Sequence, residues 1–140
     1  MNEFPENWRN KTPERLEGTD LLSNPEFESY MISRIIGLRK TPLCDFSVED
    51  LRLFIEQQIG LPFVTELAIE ILEKILFVEG DYQEGDYQEG DLLESLLRLP
   101  ISYWKSNSRQ WKKLNALIVE RAAELHEMKI SSDQFKKAYY

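Results

Sequence analysis

The sequence predicts an all-α fold, a single-domain bundle of about five to six helices. Apolar residues recur at intervals of three and four in several segments, the spacing that puts them on one face of a helix. No segment alternates polar and apolar residues over the length of a strand. A chain of 140 residues is also the usual size of one domain. We therefore expect one domain over residues 1–140, with residues 1–24 as a loosely attached N-terminal lead-in.

The first two predicted helices have clear start signals. Asn24 is a favourable N-cap and Pro25 suits the first helical position, so a helix is predicted from this point to just before Pro42. Ser47 is predicted to cap the second helix together with Asp50. In such a capping box, each side chain accepts a hydrogen bond from the other residue's backbone N–H group.

The next two helices follow at short intervals. Gly60 is predicted to stop the second helix, and Pro62 to open a third that runs to about Ile75. The segment Leu92–Leu99 predicts a fourth, short helix, which Pro100 ends. Because this segment is apolar on most sides, we expect the helix to be buried on more than one face.

The C-terminal part of the chain predicts one long helix. After a turn or short helical piece at 101–104, Ser108 is predicted to cap a helix that continues to about Lys129. The apolar spacing puts Ala122 in its buried stripe. The remaining tail predicts one amphipathic turn around Phe135.

An acidic segment, residues 79–90, lies between the third and fourth predicted helices. It repeats the unit Glu-Gly-Asp-Tyr-Gln. Glycine gives the backbone freedom and aspartate bonds to nearby N–H groups, so the combination is typical of turns. Only the last copy leads into an apolar run, where Asp91 is predicted to cap the short helix together with Glu94. The repeat itself is therefore predicted to be a loop.

The charge balance limits the possible partners. Twenty-five acidic and seventeen basic residues give a net charge of −8 at pH 7 and a pI near 4.8. Such a surface repels nucleic acid, so no nucleic-acid partner is expected. It attracts a basic partner by electrostatic steering. The alternative is that the acidity only keeps the protein in solution.

The sequence also predicts a compartment. No apolar run reaches the roughly eighteen residues that a membrane span requires, so no membrane partner is expected. The N-terminus lacks the basic start and apolar centre of a signal peptide. The single cysteine, Cys44, cannot form an internal disulfide. We therefore expect a cytoplasmic protein.

The residue types do not predict an enzyme. Nucleophilic catalysis generally needs a nearby base, and the one imidazole is His126, whose spacing also fits a half-buried surface histidine. Cys44 is predicted to pack inward between apolar neighbours. Carboxylates are abundant but not paired in an apolar setting. A small hydrolase that uses scattered carboxylates stays open as an alternative.

No cofactor and no metal site are predicted. A zinc site needs several Cys and His residues, and the glycines of the acidic repeat precede aspartates that would repel phosphate. The acidic repeat offers oxygen ligands for calcium, which is an alternative for this segment. However, counting from Asp81, the sixth position of an EF-hand loop is Asp86 where glycine is needed.

Several motifs between residues 30 and 106 carry a family resemblance. They are Arg39–Leu43 (RKTPL), Phe46–Arg52 (FSVEDLR), Gln58–Pro62 (QIGLP), Leu67–Glu70 (LAIE), Glu84–Leu93 (EGDYQEGDLL) and Tyr103–Trp104 (YW). Together they resemble the immunity proteins of bacterial contact-dependent growth inhibition (CDI) systems. The family pattern has the Glu-Gly-Asp-aromatic unit once, whereas residues 79–83 add a second copy here. Such an insertion is well tolerated in an exposed loop, which supports the loop prediction.

The resemblance implies a protein that binds the toxic C-terminal domain of a cognate large exoprotein and blocks it. In this group the toxin is often a nuclease with a basic cleft, and the acidic composition agrees with that role. We expect a monomer in a one-to-one complex rather than a homo-oligomer. The alternative is an acidic adaptor or regulatory protein that binds another basic partner.

The candidate toxin-binding residues lie in and after the acidic segment. The charged ones are Asp81, Glu84, Asp86, Glu89 and Asp91, and the aromatic anchors are Tyr82, Tyr87 and Trp104. For the two tyrosines the alternative is packing within the loop, and for the tryptophan it is burial in the core. The expected mechanism is occlusion, in which the acidic surface covers or distorts the substrate site of the toxin.

Overall fold

The computed structural model describes residues 4–17, 30–76 and 91–138. Within these ranges the regular structure is helical, with nine α-helices, two short 3₁₀-helices and no β-strand. The α-helices are α1 (Pro13–Glu17), α2 (Tyr30–Arg39), α3 (Val48–Glu56), α4 (Leu61–Lys74), α5 (Asp91–Leu97), α6 (Ile101–Ser106), α7 (Ser108–Glu120), α8 (Ala122–Glu127) and α9 (Asp133–Lys137). The 3₁₀-helices are Trp8–Asn10 and Leu43–Asp45. The predicted all-α fold is confirmed.

The short helix α5 lies in the core. Leu92, Leu93 and Leu96 are fully buried, and Ser95 and Leu97 are nearly so. Helix α5 packs against α3 and α4, which pack against each other, and α4 also contacts α7. The prediction that this helix is buried on more than one face is confirmed.

The start of α3 has the predicted capping box. Ser47 Oγ accepts a hydrogen bond from the Asp50 N–H (3.1 Å), and Asp50 Oδ2 accepts one from the Ser47 N–H (3.0 Å). The second oxygen of the Asp50 carboxylate forms an ion pair with Arg34 of α2. One aspartate therefore both starts α3 and attaches α2 to it.

Helix α3 ends before the predicted stop. Gln58 adopts a left-handed conformation (φ 56°), and its N–H donates to the Ile55 carbonyl (3.1 Å). The next N–H, of Ile59, donates to the Phe54 carbonyl (2.9 Å). These two bonds form a Schellman motif, which ends a helix. The prediction that Gly60 stops α3 is wrong, because this glycine, also left-handed (φ 56°), instead serves as the N-cap residue of α4.

The long C-terminal helix predicted from the sequence is two helices, α7 and α8. The chain departs from helical geometry at Arg121 (φ −116°, ψ 27°). The Arg121 N–H is shared between the carbonyls of Leu117 and Ile118 (3.2 Å each). The break changes which side of α8 faces the core, so Leu125 is buried and Ala122 is exposed. The prediction of a continuous helix with Ala122 in its buried stripe is wrong for this reason.

Residues 4–11 pack against α4. The rings of Phe4, Trp8 and Phe63 are mutual neighbours, with centroids 4.9 to 5.7 Å apart. The Leu43 N–H donates to the Lys11 carbonyl (3.0 Å), which joins the two 3₁₀ regions. Residues 18–24 of the predicted lead-in lie outside the described residues.

An aromatic cluster attaches α9 to the bundle. Phe135 is fully buried, with its ring edge-on to Trp104 (5.0 Å between centroids) and stacked on Trp111 (5.3 Å). Trp111 Nε1 also donates to the Phe135 carbonyl (2.8 Å). The amphipathic turn predicted around Phe135 is confirmed.

Replacing Gln58 by glycine is expected to stabilise the protein by roughly 0.5–1 kcal/mol, because a left-handed backbone is strained for glutamine and not for glycine. The gain is limited because glycine also increases the entropy of the unfolded chain. Thermal unfolding followed by circular dichroism should show a midpoint a few degrees higher.

Gln57→Gly is the matched control, since Gln57 has φ −90° and gains nothing from glycine. Its midpoint is expected to fall. Identical midpoints for Gln58→Gly and the unaltered protein would contradict the assignment of strain to this residue.

Candidate functional site

Six of the eight candidate contact residues lie outside the described residues. They are Asp81, Tyr82, Glu84, Asp86, Tyr87 and Glu89, all within residues 77–90. The residues that flank this segment are described. Leu76 precedes it and is buried, and Asp91 follows it as the first residue of α5. Residues 77–90 are therefore flanked by a buried residue on one side and by a helix with a buried face on the other.

Asp91 is the first residue of α5, so the short helix begins where the sequence predicted, while the capping box of Asp91 and Glu94 stays a prediction. Its carbonyl accepts a hydrogen bond from Ser95 Oγ (3.0 Å) one turn later in the helix. Glu94 is also in the first turn and forms an ion pair with Arg98 (3.3 Å). Two carboxylates at this end of α5 interact favourably with the positive end of the helix dipole.

Trp104 lies in the core. It is 1% exposed, and its ring is edge-on to the rings of Tyr103 (5.3 Å) and Phe135 (5.0 Å). A buried ring cannot contact a partner unless α6 rearranges. The alternative assignment, which puts Trp104 in the core, matches its position.

Two glutamates of α4 form ion pairs with other elements. Glu66 accepts from Lys113 Nζ of α7 (2.9 Å), and Glu70 pairs with Arg9 of the N-terminal segment. Arg9 also lies over the Trp8 ring, with its guanidinium carbon 4.5 Å from the ring centroid, a cation–π contact. These contacts hold both neighbouring elements against α4.

A cleft of about 330 Å³ lies between the N-terminal segment, α4 and the turn that joins α6 to α7. Its lining combines aromatic, charged and polar side chains: Phe4, Trp8, Arg9, Glu66, Ser106, Asn107, Ser108, Arg109 and Gln110. The sequence analysis did not find this cleft, because its walls come from three segments that are far apart in the chain. A volume of this order is at the lower end for binding pockets.

A hydrogen-bonded network forms one wall of the cleft. Gln110 Nε2 donates to the Pro62 carbonyl (2.9 Å) and to Glu66 Oε1 (3.1 Å). Gln110 Oε1 accepts from the Tyr103 hydroxyl (2.6 Å). Because Lys113 bonds to Glu66 Oε2, both oxygens of this carboxylate have a partner.

The network moves the pKa values of two groups further from neutral pH. Burial by itself raises the pKa of Glu66. Hydrogen bonds from Lys113 and Gln110, together with the positive charges of Lys113 and Arg109, lower the pKa by more than burial raises it. The pKa of Glu66 is therefore below its ordinary value. Burial, with a smaller contribution from the charge of Glu66, raises the pKa of Tyr103 to about 12. The shifts widen the pH range over which Glu66 is ionised and Tyr103 keeps the proton that it donates to Gln110.

His126 and Cys44, the two residues considered as nucleophilic machinery, are both exposed. The prediction that Cys44 packs inward is wrong, because the 3₁₀ turn buries its neighbour Leu43 and leaves the thiol near Asp45 Oδ1 (3.8 Å) at the surface. Over 4–17, 30–76 and 91–138, no group of His, Cys, Asp and Glu residues could hold a metal ion. No helix in those ranges has the length and apolarity to cross a membrane.

Replacing Glu66 by glutamine is expected to lower the free energy of unfolding at pH 7 by roughly 1 kcal/mol, because the charged hydrogen bond and ion pair with Lys113 are lost. The pKa of Glu66 is lowered by folding, so its contribution is complete above the unfolded value of 4.5 and is lost as the pH falls through the lower folded value. Urea unfolding at several pH values should therefore show a difference between the two proteins that shrinks below about pH 4.5.

Glu73→Gln is the matched control, because Glu73 is exposed on the same helix. We expect this variant to follow the unaltered protein at every pH. A Glu66→Gln deficit that is independent of pH would show that Glu66 does not act through its charge.

Comparison with known proteins adds the family. The family model of the CDI immunity proteins matches residues 15–114. This range runs from α1 to the middle of α7 and contains the acidic segment together with Glu66 and Arg109 of the cleft. Searches of the curated proteins and of the solved structures gave no significant match. Since the family match covers more than two thirds of the sequence, the chain belongs to the family of CDI immunity proteins.

Proposed function

We propose that this protein binds the toxic C-terminal domain of a cognate CDI exoprotein in the cytoplasm and neutralises it. The observation that carries the proposal is the family match over residues 15–114. The net charge of −8 supports a toxin with a basic surface, because opposite charges steer two proteins together.

The proposed mechanism is occlusion of a nuclease toxin. A nuclease binds a polyanion and therefore has a basic substrate cleft, which an acidic protein can cover. The proposed charged contacts are Asp81, Glu84, Asp86, Glu89 and Asp91, with Tyr82 and Tyr87 as aromatic anchors. Occlusion by a monomer in a one-to-one complex requires no catalysis by this chain.

The attachment of the acidic segment supports this mechanism. Leu76 before the segment is buried, and Asp91 after it begins a helix whose leucines are buried. Fixed ends restrict the conformations that a segment can adopt, which reduces the entropy lost on binding.

Isothermal titration calorimetry of this protein with the C-terminal domain of its cognate CDI exoprotein tests the proposal. We expect one-to-one binding that weakens as salt rises from low to moderate concentration, because salt screens the attraction. Replacing Asp81 and Asp86 by Asn, and Glu84 and Glu89 by Gln, is expected to weaken binding by roughly tenfold or more.

The control variant removes four other carboxylates, Glu6, Glu56, Glu120 and Glu127, all of which are exposed on the described surface. It has the same net charge as the first variant, so a larger effect of the first one assigns the contact to the acidic segment. Equal effects would reduce the role of the segment to long-range steering. Absence of binding by the unaltered protein would overturn the immunity function and favour an acidic adaptor.

A further inference from the structure

The charges of this acidic protein are unevenly distributed. Between residues 95 and 119 the sequence contains five basic residues and no Asp or Glu. This stretch covers the end of α5, all of α6 and most of α7. A basic region therefore exists within a chain whose net charge is −8.

Three of the five basic side chains have no ion pair among the described residues. Arg98 pairs with Glu94, and Lys113 pairs with Glu66. The other three are exposed and together form what we call the basic edge: Lys105, Arg109 and Lys112. In a protein with an excess of carboxylates, this edge offers positive charge to another molecule.

The basic edge borders the cleft. Arg109 lines it, Lys105 precedes the lining residue Ser106, and Lys112 is one helical turn after Arg109. Glu66, the carboxylate in the lining, has both oxygens bonded to Lys113 and Gln110. The Arg109 charge interacts with Glu66 across the cleft, but its guanidinium forms no hydrogen bond to that carboxylate, so it can form a two-pronged hydrogen bond with a carboxylate from outside.

The opposite wall supplies apolar contact. Phe4 and Trp8 line the cleft there, and Arg9, which is also part of the lining, is already paired with Glu70 and stacked on Trp8. An acidic side chain that enters would meet the Arg109 charge on one side and aromatic rings around its methylene groups on the other. This combination fits Asp or Glu better than a purely apolar side chain.

We propose that the cleft and the basic edge bind an acidic side chain of the toxin, as a second contact of opposite sign to that of the acidic segment. The inference rests on the proposed immunity function. A nucleic acid is the less suitable occupant, because it carries a phosphate at every nucleotide and most of this protein's surface charge is negative. Two contacts of opposite charge would fix the orientation of the toxin on this protein. A single acidic surface attracts a basic toxin but does not fix its orientation.

The experiment compares Arg109→Glu with Lys137→Glu in the full chain, by calorimetry and stopped-flow binding to the same toxin domain. Lys137 is exposed on α9 and does not line the cleft, so both variants add the same negative charge. General steering onto a basic toxin predicts that either variant associates as fast as the unaltered protein or faster. The proposed contact predicts that Arg109→Glu alone weakens the affinity, by roughly tenfold or more, with a faster dissociation rate.

Lys112→Glu and Arg109→Ala, with melting curves for each variant, separate a lost contact from a lost fold. Weaker binding by both variants at unchanged melting temperature supports the proposal.

If the unaltered protein binds and Arg109→Glu binds equally well, the second contact is wrong while the immunity function stands. Failure of the unaltered protein to bind overturns both. Binding of a single-stranded oligoribonucleotide that Arg109→Glu abolishes would identify the basic edge as a nucleic-acid site and overturn the proposal.

Discussion

The burial of α5 is the constraint on which the other contacts depend. A helix of seven residues does not form stably by itself in water, so α5 exists because its leucines pack against α3 and α4. The same packing fixes the position of Asp91, which follows the acidic segment as the first residue of α5. A cavity made at Leu93 or Leu96 would therefore loosen α5 together with its attachment to α3 and α4.

The charged residues fall into two groups, those that form ion pairs within the protein and those in excess of such pairs. Glu66 and Glu70 are acidic residues that mainly hold the protein together, because each pairs with a cation of a distant element. The acidic segment and the basic edge have a different character, since one is a run of carboxylates and the other has cations without ion pairs in the described structure. Binding of the proposed partner would neutralise both kinds of excess charge.

Local signals predicted much of the fold and little of the site. The capping box at Ser47 and the apolar periodicity of α3 and α4 depend on residues close in sequence, and the structure has them where they were expected. The left-handed turn at Gln58 and the break at Arg121 carry no such signal, because tertiary packing selects them over local preference. The cleft could not be predicted, since it requires residues 4–9 to meet α4 and the start of α7. The acidic contacts at 81–89 remain predictions, because they lie outside the described residues.

The turn between α6 and α7 depends on the aromatic core beneath it. Trp104 before the turn and Trp111 after it both pack on Phe135, and Asn107 within the turn donates to the Tyr103 carbonyl (2.9 Å). The aromatic cluster therefore holds the two sides of the turn at a fixed separation, and with them Arg109 at the edge of the cleft. With its backbone held in this way, Arg109 would lose only side-chain freedom in the proposed contact. The exposed side chains can consequently change to suit another partner while the aromatic residues beneath them stay the same.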